Sequence, residues 1–182
     1  MLITLTGAHS TGKTTLLEAL RSDFGDKFEY VSGITRSMVA KGLAINEKGD
    51  NITQLLILNT HFNNLFKTKD AILDRCLLDV YIYTKYLHIE GKVDKWVVEY
   101  AYKLLHDIAI HKYKIIFYTD PDDVPLVDDG VRSVNHKFRN DIINLYNDFF
   151  TFHHFNHIIK LKGSVAERVE NVKYHLKHIA MP

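Results

Sequence analysis

Short apolar runs alternate along this chain with longer stretches in which apolar residues recur every three or four positions. The first pattern reads as buried strands and the second as amphipathic helices. Leu2–Thr6 is a strand and Thr14–Arg21 the helix after it. Phe28–Ser32 reads as a short strand, Thr35–Lys41 as a short helix or turn, and Asn46–Asn51 as a polar loop. Ile52–Lys67 is a long helix, with Leu55, Leu56, Leu58, Phe62, Leu65 and Phe66 as its apolar positions. Ala71–Leu73 is a third strand, ending at Asp74-Arg75. Leu78–His88 and Val93–His111 read as helices, Lys114–Thr119 as a fourth strand, and Asp120–Arg132 as a loop rich in Asp and Pro. Asn135–Phe150 is a helix, His157–Lys162 a fifth strand and Ser164–His178 a terminal helix. No repeat or low-complexity linker interrupts the series, so residues 1–182 form one domain.

Strands alternating with helices predict an α/β architecture of three layers. A parallel sheet of about five strands is covered by helices on both faces. In such a sheet, ligands sit beyond the C-terminal ends of the strands. The long loop after the fourth strand falls there, and loops of this length in compact domains are often lids. We place the lid at about residues 120–140.

Composition narrows the class. The chain has 182 residues, 46% hydrophobic and 25% charged, with a net charge of +1. That balance suits a globular protein and gives no strong electrostatic footprint for nucleic acid or membrane. The single cysteine, Cys76, allows no internal disulfide and fits a reducing, cytoplasmic setting. Met1 leads straight into a strand, which leaves no room for a signal peptide. The 11 histidines show no zinc-type spacing with Cys or carboxylate partners, and read as surface or filler positions. The Tyr81, Tyr83, Tyr86 and Phe149, Phe150, Phe152, Phe155 groups read as core or interface.

Three segments carry chemistry. Gly7-Ala8-His9-Ser10-Thr11-Gly12-Lys13-Thr14 stands between the first strand and the first helix, where a phosphate-binding P-loop must stand. The backbone of Gly7, His9, Ser10, Thr11 and Gly12, continuing to Thr15, can cradle phosphate oxygens. Lys13 can reach the β- and γ-phosphates and the Thr14 hydroxyl can ligate Mg²⁺. Asp74, at the end of the third strand, can hold Mg²⁺ through water or accept a proton from an attacking hydroxyl. Arg75 can clamp an anion bidentately. Without function, this pair would be a helix cap and a surface ion pair. In the third segment, Arg132 and Arg139 lie seven residues apart. If the helix starts early, both reach one face and neutralise a transferring phosphoryl group. Arg36 and Gln54 are candidates for the acceptor side, Gln54 as a base or amide reader.

These segments together resemble the small P-loop kinases of the NadR-type nicotinamide riboside kinase family. That family overlaps a set of AAA-type ATPases and is related to deoxynucleoside and thymidylate kinases. The phrase Pro125-x-x-Asp128-Asp129-Gly130-x-Arg132 is the most group-specific part. The resemblance implies ATP with Mg²⁺ as donor and a nucleoside-like hydroxyl or phosphate as acceptor. It implies Lys13 and Thr14 on the donor phosphates, Asp74 as base or metal organiser, and Arg132 and Arg139 as lid arginines. Adenine would lie near Arg132 and the Gly163-Ser164 turn. The chain departs from the pattern in having no adenylyltransferase domain ahead of the kinase and in carrying His9 where that family often has an acid. The Lys/Asn/Ile/Tyr-rich composition suits a phage-encoded enzyme, so hydroxymethylated pyrimidines in DNA are an alternative acceptor, with Lys67, Lys69 and Lys85 as a basic track. An NTP-hydrolysing regulatory module is the third alternative. A monomer or a homodimer fits equally.

Overall fold

The five apolar runs become five parallel strands in the computed structural model, which describes residues 1–67, 69–121 and 133–179. β1 (Leu2–Thr6) lies at the centre, paired with β3 (Ala71–Asp74) on one side and β4 (Tyr113–Thr119) on the other. β2 (Glu29–Val31) extends the sheet beyond β3, and β5 (Ile158–Leu161) extends it beyond β4. The order is β2-β3-β1-β4-β5. Every residue of β1 is buried, as a strand covered on both faces requires.

The strand period assigns each face. Ile3 and Leu5 of β1, with Ile72, Ile115 and Phe117, meet α1 (Lys13–Phe24) and α8 (Val165–Ile179). Leu16, Leu17 and Leu20 dock α1 there and are fully buried. Each contributes about 2 kcal/mol by leaving water, so the loop ahead of α1 is fixed at both ends by core packing. On the opposite face Leu2, Leu73, Ile116 and Tyr118 meet α3 (Asn51–Asn63), α4 (Leu77–Ile89) and α7 (His136–Phe152). The other α-helices among the described residues are α2 (Ile34–Ala40), α5 (Lys95–Leu104) and the short α6 (Ile110–Lys112).

One expected helix is divided. Residues 93–111 read as a single helix, but α5 ends at Leu104 and a π-helical turn, Leu105–Ala109, precedes α6. The buried positions Val97, Ala101, Leu105 and Ala109 are spaced by four. In an α-helix that spacing drifts about 40° per step. The wider turn returns Ala109 to the buried side. Among the described residues no helix is long and apolar enough to cross a membrane.

Candidate active site

The strand order reverses between β1 and β3: the chain leaves β1 toward β2 and leaves β3 toward β4. The crevice beyond their C-terminal ends is therefore the place for a ligand. The register pairs Leu5 with Asp74, which sets the Gly7–Thr14 loop beside Asp74-Arg75.

The loop's backbone is unusual and well supported. Gly7, Ser10 and Gly12 have φ of 139°, 56° and 79°. A Cβ on Gly7 would stand 2.8 Å from Thr119 Oγ1 and 3.0 Å from its carbonyl oxygen, so only glycine passes β4 this closely. Thr119 Oγ1 donates to the Thr6 carbonyl (3.1 Å) and lies 2.6 Å from Thr11 Oγ1. Lys13 Nζ folds back onto the loop, donating to the Gly7 and Ala8 carbonyls at 2.9 and 2.5 Å and to Thr11 Oγ1 at 3.0 Å. His9, Ser10, Thr11, Gly12, Lys13 and Thr14 all line the cavity. Gly7 and Thr15 are not part of its wall, and Thr15 is exposed on the first turn of α1. The backbone N–H of His9 donates to the Tyr83 hydroxyl (2.9 Å), and its ring stacks on Phe138 at 5.0 Å.

Thr14 Oγ1 donates to Asp74 Oδ2 at 2.8 Å. A hydroxyl and a carboxylate side by side at the mouth of an anion cradle are the hard oxygen donors Mg²⁺ takes, so the residues present fit that ion.

Arg75 holds φ of 81°, a conformation costly for a side chain outside glycine. Its N–H donates to the Leu5 carbonyl (2.9 Å) and its guanidinium to Asp79 Oδ1 (2.9 Å), with the Tyr83 ring 5.2 Å away. Asp79 does more than hold Arg75. It accepts from Thr6 Oγ1 (2.8 Å), from the Gly7 N–H (3.4 Å) and from the Cys76 N–H (2.9 Å). A carboxylate among Leu77, Leu78 and Val80 in an otherwise apolar helix start was the signal for it. Burial pushes the Cys76 thiol up to about 12, so it stays protonated and unreactive.

Arg75 also separates two cavities. The first is the P-loop cavity, which extends to Arg36. The second is lined by Gln54, Ile57, His61, Asp79 and Tyr83. Thr35, Asn46 and Arg75 belong to both walls. Gln54 is buried and its Oε1 accepts from Thr84 Oγ1 at 3.0 Å. Tyr83, read as core or interface, packs against the core and is also a wall residue that touches the P-loop. The sequence reading left out His61, which lies two turns along α3 from Gln54 on the same face.

Other candidates move. Arg132 lies outside the described residues, as do Pro125, Asp128, Asp129 and Gly130. Asn135 caps α7 by accepting from the Phe138 N–H (3.1 Å), so the helix begins only at His136 and residues 133–135 are not helical. The shared face expected for Arg132 and Arg139 involves Arg132 and so lies outside the described residues. Arg139 donates to the Pro121 carbonyl (3.1 Å), tying α7 to the exit of β4. Lys67, paired with Glu29, and Lys69 come just before β3. That is the N-terminal edge of the sheet, a strand's length from the cavities, so they do not flank the cleft. The first turn of α8, after β5, carries a residue the sequence reading missed, Arg168, which is almost fully buried.

His61 provides a stability test. Its Nδ1 has no hydrogen-bond partner among the described residues, and burial holds its pKa down at about 4. Between pH 6.5 and 4 the unfolded chain binds more protons than the folded one, so stability is complete above 6.5 and falls as pH drops. The loss from pH 7.5 to pH 5 amounts to about 2 kcal/mol. His61→Leu is expected to remove that part of the slope, read as melting temperature against pH. Parallel slopes in both proteins would contradict it.

Comparison with known proteins places this geometry. Residues 2–168 match the family model described as AAA domain. The chain belongs to the AAA domain family. No curated protein matches it. Among solved structures, a deoxyadenosine kinase from M. mycoides with products dCMP and a flexible dCDP bound superposes with a TM-score of 0.73 at 17% identity, covering 98% of this chain and 100% of that one. NadR protein in complex with NR gives a TM-score of 0.73 at 16% identity, covering 100% of this chain and 52% of that one. This AAA domain thus shares the P-loop fold of both, and spans about half the length of NadR.

Proposed function

We propose that this AAA domain is an ATP-dependent phosphotransferase that moves the γ-phosphoryl group of ATP to a nucleoside or nucleotide acceptor. The observation that carries the reading is the pair of adjoining cavities with Arg75 in their common wall. A hydrolase or switch needs only the first. A second, half-open cavity lined by an amide, an imidazole, a phenol and apolar side chains offers the groups that hold a small polar ring compound. The two fold relatives bind a deoxynucleotide and NR, which supports that ligand class.

The roles follow from position. The P-loop N–H groups and the N-terminus of α1 hold the donor phosphates. Lys13 exchanges its loop carbonyls for phosphate oxygens. Thr14 and Asp74 would hold Mg²⁺, which when bound neutralises charge on the phosphates. Arg75, at the boundary, faces the group in transfer, and Asp74 on the same side lies where an attacking hydroxyl is aligned. Arg36 and Gln54 are assigned to the acceptor. Arg139 anchors the root of the lid, and Arg132 is assigned to the lid itself. Little covalent chemistry is asked of the protein; positioning and charge neutralisation carry the step.

The test is ATP turnover with Mg²⁺ against nicotinamide riboside, the common nucleosides, deoxynucleotides and hydroxymethyluracil-containing DNA. Turnover dependent on one of the small acceptors is expected. Turnover only with the DNA would replace the acceptor class, and robust turnover without any acceptor would make the protein an NTP hydrolase.

A further inference from the structure

Arg168 stands on the first turn of α8 on the face that docks against the sheet, four residues before the buried Val172. It is 2% exposed. Its guanidinium donates to three backbone carbonyls from three separate segments. Nη1 reaches Thr11 in the P-loop at 2.7 Å, Nη2 reaches Asp120 at the exit of β4 at 3.1 Å, and Nε reaches Gly163 in the β5–α8 turn at 2.9 Å. A planar guanidinium presents its donors in a fixed fork, so it sets the spacing and tilt of all three.

The contact with Thr11 has a specific consequence. The carbonyl of Thr11 and the N–H of Gly12 belong to one planar trans peptide and point in opposite directions. Holding the carbonyl toward α8 turns the Gly12 N–H away from α8, to the side on which Gly12 lines the P-loop cavity. The buried positive charge also lies directly behind the cradle. The other two contacts are equally constrained. Glu167 Oε2 accepts from both the N–H and the hydroxyl of Ser164 at 2.7 Å, which fixes the turn that presents the Gly163 carbonyl. Asp120 donates its N–H to Leu161 (2.9 Å), and its carboxylate pairs with Lys160 at 2.9 Å.

We propose that Arg168 is a positioning residue for phosphate binding: through the Thr11 carbonyl it orients the Thr11–Gly12 peptide so that the Gly12 N–H points at the bound anion, and it locks that loop to the exit of β4. The proposal rests on the reading that the P-loop cavity takes the triphosphate of ATP. It does not depend on which acceptor is used.

The experiment compares wild type, Arg168→Lys and Arg168→Met for binding of Mg·ATP and of inorganic tripolyphosphate, by displacement of a fluorescent ATP analogue, alongside thermal melting. Arg168→Lys keeps the charge but cannot reach three carbonyls. It is expected to fold and to weaken both ligands by a similar factor of about ten, the size of one well-placed charge-assisted contact. Arg168→Met is expected to weaken both further, and millimolar guanidinium to recover part of its affinity, which a general loss of stability would not allow. Wild-type affinity for tripolyphosphate in Arg168→Lys would overturn the proposal. So would loss of ATP binding with tripolyphosphate unchanged, because the effect would then lie on the adenine side. If wild type binds neither ligand, the donor-site reading fails first, and this proposal with it.

Discussion

Lys13→Met is expected to reduce acceptor-dependent ATP turnover by about a thousandfold or more while the protein stays folded, because it removes the one flexible positive charge inside the P-loop. The Lys13 ammonium is already at its post. It donates to oxygens of its own loop, those of Gly7, Ala8 and Thr11. On the proposed reading, phosphate oxygens would take the place of these loop oxygens as its partners. Methionine keeps the length of the side chain and loses the charge. It also leaves the Gly7 and Ala8 carbonyls without this donor, a cost of about 1–2 kcal/mol in stability. Steady-state turnover and urea denaturation separate the two effects. A variant that keeps a tenth of the wild-type rate would show that Lys13 is a strut of the loop and not part of phosphoryl transfer.

The largest stability effect is expected at Asp79. Asp79→Ala should cost about 3–5 kcal/mol, the scale on which an uncompensated buried charge destabilises a fold. Four donors converge on this carboxylate, from Thr6, Gly7, Arg75 and Cys76. Three of those residues border the P-loop or the wall between the cavities. The loss therefore spreads from stability into function: the Gly7 N–H and the Arg75 guanidinium lose the group that fixes them. Asp79→Asn keeps the shape but not the charge and should fall between wild type and alanine. Chemical denaturation measures the cost. An Asp79→Ala protein within 0.5 kcal/mol of wild type, a typical surface effect of about that size, would mean that Arg75 and the loop are held by other contacts.

The sequence shows some parts of this site plainly and hides others for definable reasons. Strand β1, the glycine loop and α1 are local: an apolar run, glycines at fixed offsets and an amphipathic helix follow one another within 24 residues. Asp74 and Arg75 are legible because they end an apolar run in a parallel sheet, and strand ends in such sheets face the ligand. Asp79 and Arg168 act across the fold on segments 72 and 157 residues away. Neither forms a motif. Each left one trace, a charged residue on the buried side of a helix, where an apolar residue is expected. That anomaly was readable at Arg168 from its place four residues before Val172, and at Asp79 from its apolar neighbours. The division of the helix expected over residues 93–111 was not readable from apolar content alone, because a spacing of four fits a drifting α-helix until Ala109 must be buried.

On the proposed reading the γ-phosphoryl group of ATP passes to a nucleoside or nucleotide acceptor and not to water. The most direct measurement is the fate of the label from γ-³²P-ATP incubated with the protein, Mg²⁺ and each acceptor in turn. The label is expected on one nucleoside or nucleotide, with little released as inorganic phosphate when that acceptor is absent. Label released as inorganic phosphate at the same rate with every acceptor and with none would contradict that reading.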